Sequence, residues 1–196
     1  MNVPNKLTLG RLVLTLLFVL VFFSQVRFRE TIALLLFSAA SITDYFDGKI
    51  ARRDKLITNF GILMDPLADK ILICSAFIAF VGYHLMPAWM VIIIVARELA
   101  ITGLRLLAAS RNVVLAAEGY GKHKTISQMI AILSVLLLLS YPDWGDWARP
   151  VFGFRVFNDS WLAWFTELAK WLAVFFTAFS GVMYLWRNRQ IYLQDM

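Results

Sequence analysis

Long apolar tracts, separated by short basic connections, are the feature that most constrains how this chain can fold. Most of them run to about 20 residues, the length at which an α-helix crosses a hydrocarbon core of roughly 30 Å. Hydrophobic residues make up 60% of the 196 residues, and charged residues only 16%. This composition is far too apolar for an ordinary soluble domain. We therefore expect one all-α integral membrane domain over residues 1–196.

The tracts predict six transmembrane helices. The first is an apolar run ending at Phe23, preceded by an N-terminal segment that lies in the membrane interface. The others are predicted at about 31–51, 59–81, 88–110, 122–141 and 161–185. Residues 142–160, which contain Trp and Pro, are expected to form a surface loop with interfacial aromatic anchors. No small-residue cleavage signature follows the first run, so we expect it to remain as a span.

Lysine and arginine are distributed unequally between the two ends of the predicted helices. The poorer end carries only Arg27, Arg29, Arg149, Arg155 and Lys170. The positive-inside rule then places the richer end and both termini in the cytoplasm, in a multi-pass protein of the inner (cytoplasmic) membrane. Topology also explains the net charge of +6. Because the basic residues form no amphipathic face, we expect no nucleic-acid partner.

Four aspartates, Asp44, Asp47, Asp65 and Asp69, lie in a strongly apolar part of the chain. An ionised carboxylate there is costly without a cation or a hydrogen-bonding partner. The first two are three residues apart and the last two four apart, so each pair projects from one helix face. A helical hairpin centred near Leu56 would bring the pairs to the same height. Such a site suits hard divalent cations such as Mg²⁺ or Mn²⁺, with room for two ions.

Other interpretations of these carboxylates stay open. They could be ion-pair partners of nearby basic residues, although surface pairs add little stability and do not require four aspartates. A calcium-binding loop would need a twelve-residue oxygen pattern that the sequence lacks. A divalent-cation transporter would be expected to place its acids near the bilayer midplane. A structural or lipid-scaffolding protein gives no reason for the spacing of Gly48 and Gly61.

A fixed pattern surrounds the aspartates. It reads Asp44-x-x-Asp47-Gly48-x-x-Ala51-Arg52, then eight residues, then Gly61-x-x-x-Asp65-x-x-x-Asp69. With no position missing, it resembles the signature of the CDP-alcohol phosphatidyltransferases. The resemblance implies six transmembrane helices, usually in a homodimer, with a two-metal site that opens toward the cytoplasm. It also implies a donor such as CDP-diacylglycerol and the release of CMP.

The same resemblance implies roles for the residues of the pattern. Asp44, Asp47 and Asp65 would ligate the metals, and Asp69 would ligate and also act as the general base. The lack of a side chain at a glycine lets a ligand or a facing backbone come close. The implied CDP-lipid contacts are Gly48, Ala51, Arg52 and Gly61.

Basic residues beyond this pattern indicate the kind of acceptor. Arg97, Arg105 and Arg111 project within roughly a third of the turn of the fourth helix, and Lys122 and Lys124 begin the fifth. A basic pocket suits an acceptor that carries a phosphate. We therefore predict acceptor contacts at Arg105, Arg111, Lys122 and Lys124.

These basic residues also have simpler interpretations. Arg97 and its neighbour Glu98 could belong to a buried polar network. Arg111, Lys122 and Lys124 could be topology signals or contacts to anionic lipids.

Four further segments, VPNKLTLGR, MDPLADK, ARELAITGLR and GKHKTISQM, resemble the branch of the family that uses glycerol-3-phosphate. The implied reaction is attack by the 1-hydroxyl of sn-glycerol-3-phosphate on the lipid-linked phosphorus of CDP-diacylglycerol, giving phosphatidylglycerophosphate and CMP. A sister enzyme that uses inositol phosphate, serine or phosphatidylglycerol is the alternative.

Overall fold

The described part of the chain forms six long helices and a short irregular connection. A computed structural model describes residues 3–54, 59–110, 120–156, 158–189 and 192, with the backbone alone at 3–6, 44–54, 59–63, 65, 66, 110, 120 and 122. The long helices are α1 Val3–Phe23, α2 Arg29–Asp54, α3 Asn59–Gly82, α4 Ala88–Ser110 and α5 Tyr120–Ser140, followed after a short α6 by α7 Trp161–Arg187. All six agree with the predicted helices to within a few residues.

The connection between α5 and α7 differs from the predicted plain loop. It contains a 3-10 turn over Tyr141–Trp144, the short helix α6 over Ala148–Phe152, and an antiparallel pair of two-residue strands. The strands are β1 Arg155–Val156 and β2 Asp159–Ser160. The indole nitrogens of Trp161 and Trp164 donate to backbone carbonyls of this connection, at 2.8 Å and 3.1 Å. Local hydrogen bonds of this kind stabilise the connection. Its elements are too short to show a periodic pattern in the sequence.

The first helix is continuous from Val3, so its N-terminal residues are its first turns and not a separate element. Within the described part of the chain, two helical stretches are long and apolar enough to cross a membrane. They are His123–Trp144 and Trp161–Arg187, and Leu7–Phe23 is a shorter apolar helix. The described chain is therefore all-helical apart from the small strand pair, with helices of membrane-spanning character.

Aromatic side chains join the first three helices in one core. Phe18 of α1 lies 5.9 Å from Phe37 of α2 between ring centroids, and Phe22 lies 5.9 Å from Phe80 of α3. All four rings are buried. α2 and α3 therefore both pack against α1.

Polar contacts join the helices at the end of the bundle away from the aspartates. The Nε1 of Trp144 donates to the Oγ1 of Thr31 at the start of α2, over 2.9 Å. The buried Nζ of Lys170 on α7 donates to the carbonyl of Leu85, between α3 and α4, over 2.8 Å. These contacts fix how far neighbouring helices are displaced along their axes. They thereby also fix the relative positions of the side chains at the opposite end of the bundle.

Candidate active site

The four signature aspartates lie on two consecutive helices. Asp44 and Asp47 are in the last part of α2, and Asp65 and Asp69 are in the first half of α3. Only residues 55–58 separate these helices, in agreement with the predicted hairpin centre. The side chains of the first three aspartates lie outside the described residues, so the facing of the two pairs stays a prediction. The same holds for the predicted lipid contacts Gly48, Ala51, Arg52 and Gly61.

Asp69, the predicted base, lies on α3, which packs against both α4 and α5. Its side chain is half-buried, and it acts electrostatically on both Lys70 and Lys124. The Nζ of Lys70 contacts the Oγ1 of Thr102 on α4. The carboxylate is therefore close to cations from two helices.

A buried ion pair joins α4 and α5 beside Asp69. The Nζ of Lys124 contacts the Oε1 of Glu98, and Glu98 and Lys124 are only 4% and 5% exposed. An Nη1 of Arg97 lies 3.3 Å from the same carboxylate oxygen. The interpretation of Arg97 and Glu98 as parts of a buried polar network is therefore correct.

Arg105 is an exposed cation on the same side of α4. Its Nε donates to the hydroxyl of Tyr184 on α7 over 3.3 Å, and its guanidinium carbon is 5.6 Å from the centroid of that ring. Arg105 and Lys124 both act electrostatically on Lys70. Two predicted acceptor contacts thus lie within electrostatic range of Lys70, the neighbour of Asp69 in the sequence, whereas Arg111 lies outside the described residues and Lys122 has only its backbone described.

We call the described side chains Lys70, Arg97, Arg105 and Lys124 the basic cluster. Two described carboxylates, Asp69 and Glu98, accompany these four cations. Among these side chains the positive charge is therefore in excess. A site of this kind attracts a small anion such as a phosphate monoester.

Thr102 was not predicted to belong to the site, and Lys70 was predicted only as one of the basic residues near the aspartates. Thr102 follows Glu98 by four residues, so both side chains lie on one face of α4. The Oγ1 of Thr102 also donates to the carbonyl of Glu98 over 2.7 Å. This four-residue spacing of two polar residues in an apolar helix is the feature of the sequence from which Thr102 could have been predicted.

A polar seam continues from the basic cluster to α7. The Nε2 of Gln128 donates to the Oγ1 of Thr177 over 2.9 Å, and both residues are fully buried. One turn further, the aliphatic part of Arg97 lies over Gly181. Interhelical hydrogen bonds and small residues are typical of helix packing in membranes.

An apolar groove lies between α5 and α7 close to this seam. Its volume is about 370 Å³, and its lining residues are His123, Phe175, Phe176, Phe179 and Ser180. Concave apolar surfaces of this size bind hydrocarbon parts of ligands.

Residues 1–179 match the family described as CDP-alcohol phosphatidyltransferase, and the chain belongs to this family. The prediction from the aspartate pattern is thus confirmed. The names of curated relatives indicate to which enzymes of the family this chain is similar. A Bacillus subtilis (strain 168) protein named CDP-diacylglycerol--glycerol-3-phosphate 3-phosphatidyltransferase is 38% identical, with 95% of each chain covered.

Two further relatives have related names. A Rickettsia bellii (strain RML369-C) protein of the same name is 34% identical, with 93% of each chain covered. A Mycobacterium tuberculosis (strain ATCC 25618 / H37Rv) protein named probable phosphatidylglycerophosphate synthase is 42% identical over 72% of this chain and 68% of its own length.

Proposed function

We propose that this chain transfers the phosphatidyl group of CDP-diacylglycerol to sn-glycerol-3-phosphate, giving phosphatidylglycerophosphate and CMP. Family membership supports a membrane transferase of phospholipid biosynthesis that uses a CDP-linked donor. The names of the relatives support the acceptor. The structural observation that carries most weight is that Arg105 and Lys124 both act electrostatically on Lys70, the residue that follows Asp69 in the chain.

The aspartates are the proposed ligands of Mg²⁺ or Mn²⁺, in a site for two ions. Asp44, Asp47, Asp65 and Asp69 offer an all-oxygen donor set, which these hard cations prefer. Their helices are joined by only residues 55–58, an arrangement compatible with one shared site. When bound, such ions stabilise the negative charge that develops on phosphoryl oxygens.

Asp69 is the proposed general base for the acceptor. It takes the proton of the 1-hydroxyl as that oxygen bonds to the lipid-linked phosphorus, and the bond from phosphorus to the CMP oxygen breaks. A base must be within hydrogen-bonding reach of the proton it removes, so the acceptor has to be held close to Asp69. The basic cluster supplies that hold, because the phosphate of the acceptor is an anion.

The acceptor contacts are proposed at Arg105, Arg111, Lys122 and Lys124. Arg105 is exposed, so its guanidinium can reach an anion that enters from water. Lys124 is buried beside Asp69 and suits the deeper part of the site. The CDP-lipid contacts are proposed at Gly48, Ala51, Arg52 and Gly61, with an acyl chain in the apolar groove between α5 and α7.

We further propose that all six long helices cross the inner membrane, with both termini and the basic cluster in the cytoplasm, in a homodimer. The uneven distribution of lysine and arginine supports this orientation. Two of the helices have the length and hydropathy of membrane spans. The diacylglycerol tails would stay in lipid while glycerol-3-phosphate enters from water.

The test uses the purified protein in vesicles that contain CDP-diacylglycerol. We expect CMP release only when both glycerol-3-phosphate and Mg²⁺ or Mn²⁺ are present, and loss of release after chelation. Release of CMP that does not depend on an added acceptor would contradict the proposal. Metal uptake by vesicles that lack CDP-lipid would instead indicate a transporter.

A further inference from the structure

Two anchors on one face of α4 hold the two lysines close to Asp69. Glu98 contacts the Nζ of Lys124 from α5, and Thr102 contacts the Nζ of Lys70 from α3. The anchors are four residues apart, so they lie one above the other on the helix. α4 therefore fixes cations that come from both of its neighbours.

The contact with Glu98 restricts the Lys124 ammonium strongly. Both side chains are almost completely buried, at 4% and 5% exposure. A buried charge that loses its partner is costly, so the ammonium has few alternative positions. An ammonium group has three N–H donors, and the contact with Glu98 takes one of them. The ammonium can therefore donate to a further group as well.

We propose that Glu98 is a positioning residue for the acceptor. It holds the Lys124 ammonium beside Asp69, so that this cation meets the acceptor phosphate at a fixed place when the hydroxyl is presented to the base. The proposal rests on the proposed function above. A preorganised donor of this kind loses less conformational freedom on binding than an exposed, mobile lysine would.

Another glutamate–lysine pair of the described chain offers a control. Glu167 and Lys170 lie 2.5 Å apart on α7, at the end of the bundle away from Asp69. Lys170 is buried and also donates to the carbonyl of Leu85, whereas Glu167 is exposed and lies on the same helix as Lys170. Glu167→Gln therefore shows the effect of removing a glutamate–lysine pair that lies far from Asp69.

The experiment compares Glu98→Gln, Lys124→Gln, the double variant and Glu167→Gln, all in vesicles with full kinetics for both substrates. We expect Glu98→Gln to raise the KM for glycerol-3-phosphate by about 10-fold, which corresponds to the loss of one charge-assisted contact. The KM for CDP-diacylglycerol should change less than about twofold. Lys124→Gln should act similarly. The double variant should be no worse than Lys124→Gln, because Glu98 acts through Lys124. Glu167→Gln should leave both KM values unchanged.

Two results would overturn the proposal. One is a double variant whose KM for glycerol-3-phosphate is the product of the two single effects. The other is a folded Glu98→Gln protein with an unchanged KM for glycerol-3-phosphate and a lower melting temperature only. Wild-type protein that shows no turnover dependent on glycerol-3-phosphate would refute the proposed function instead.

The conservative variant keeps the test decisive if Glu98→Gln does not fold. Glu98→Asp retains the carboxylate on a side chain one methylene shorter. We expect a smaller rise in the KM for glycerol-3-phosphate, by about threefold, with CDP-diacylglycerol unaffected. An unchanged KM for glycerol-3-phosphate in folded Glu98→Asp protein, together with a packing defect, would overturn the positioning role.

Discussion

The side chain of Arg97 on α4 crosses α7 at Gly181, where an added Cβ atom would lie 2.9 Å from the Cγ of Arg97. That distance is shorter than van der Waals contact, so Gly181→Ala must displace the arginine or separate the helices. We expect the variant to lose about 1–3 kcal/mol of stability, the usual cost of overpacking. Its melting temperature in detergent measures this loss.

Gly103→Ala is the matched control for this prediction. Gly103 lies within α4, and an added Cβ atom there meets nothing within 4 Å. Alanine is the better helix former by roughly 0.5–1 kcal/mol, so the melting temperature should stay the same or rise. Equal destabilisation by both substitutions would show that contact with Arg97 is not the cause.

Asp69→Asn tests the proposed base. The amide keeps the size of the side chain but removes the basic oxygen, so we expect CMP release to fall by about 100-fold or more. Binding of Mg²⁺ should weaken as well, because Asp69 is also a proposed ligand. Asp159→Asn, at an exposed position on β2, should keep full activity. Undiminished turnover by Asp69→Asn protein would show that Asp69 is not the general base.

Arg105→Gln tests the outer part of the acceptor site. Loss of a charge-assisted contact to the phosphate should raise the KM for glycerol-3-phosphate by about 10-fold, with little effect on the KM for CDP-diacylglycerol. Tyr184→Phe removes the 3.3 Å hydrogen bond from Arg105 but keeps the ring. It should raise the same KM less than about threefold. A larger effect of Tyr184→Phe than of Arg105→Gln would assign the main role to the tyrosine.

Lys170→Met tests the far end of the bundle. Lys170 donates to the carbonyl of Leu85 over 2.8 Å, and methionine keeps the apolar part of the side chain but cannot donate. An unsatisfied buried carbonyl costs about 1–3 kcal/mol, so the melting temperature should fall. The kinetic constants, measured well below that temperature, should be unchanged. Arg149→Met breaks an exposed ion pair and should change neither quantity.

The positions of the helices and the family could be predicted because each leaves a regular pattern in the sequence, whereas the aspartate site stays a prediction. Apolar runs of membrane length end near polar, charged or proline residues such as Pro87, Arg111 and Arg187, and this gave the bounds of α3, α4 and α7 closely. The spacing of Asp44, Asp47, Asp65 and Asp69 follows helix geometry and also identified the family. Both signals are local, so no knowledge of helix packing was needed.

The partners of the polar side chains could not be predicted in this way. Arg97 and Glu98 are adjacent and point about 100° apart on their helix, so which one faces α5 depends on the rotation of α4. That rotation is set by packing against α7, including the contact at Gly181. The strands β1 and β2 were missed for a different reason, because two residues are too few to establish an alternating pattern.

The identity of the acceptor is the central claim, and a competition assay with purified wild-type protein tests it most directly. Vesicles with CDP-diacylglycerol and Mg²⁺ would receive glycerol-3-phosphate, serine, inositol phosphate and phosphatidylglycerol together, with CMP release and the lipid products identified. The basic cluster favours a phosphorylated acceptor and the names of the relatives favour glycerol-3-phosphate, so we expect phosphatidylglycerophosphate as the main product. A clear preference for serine, which carries no phosphate, would contradict the account.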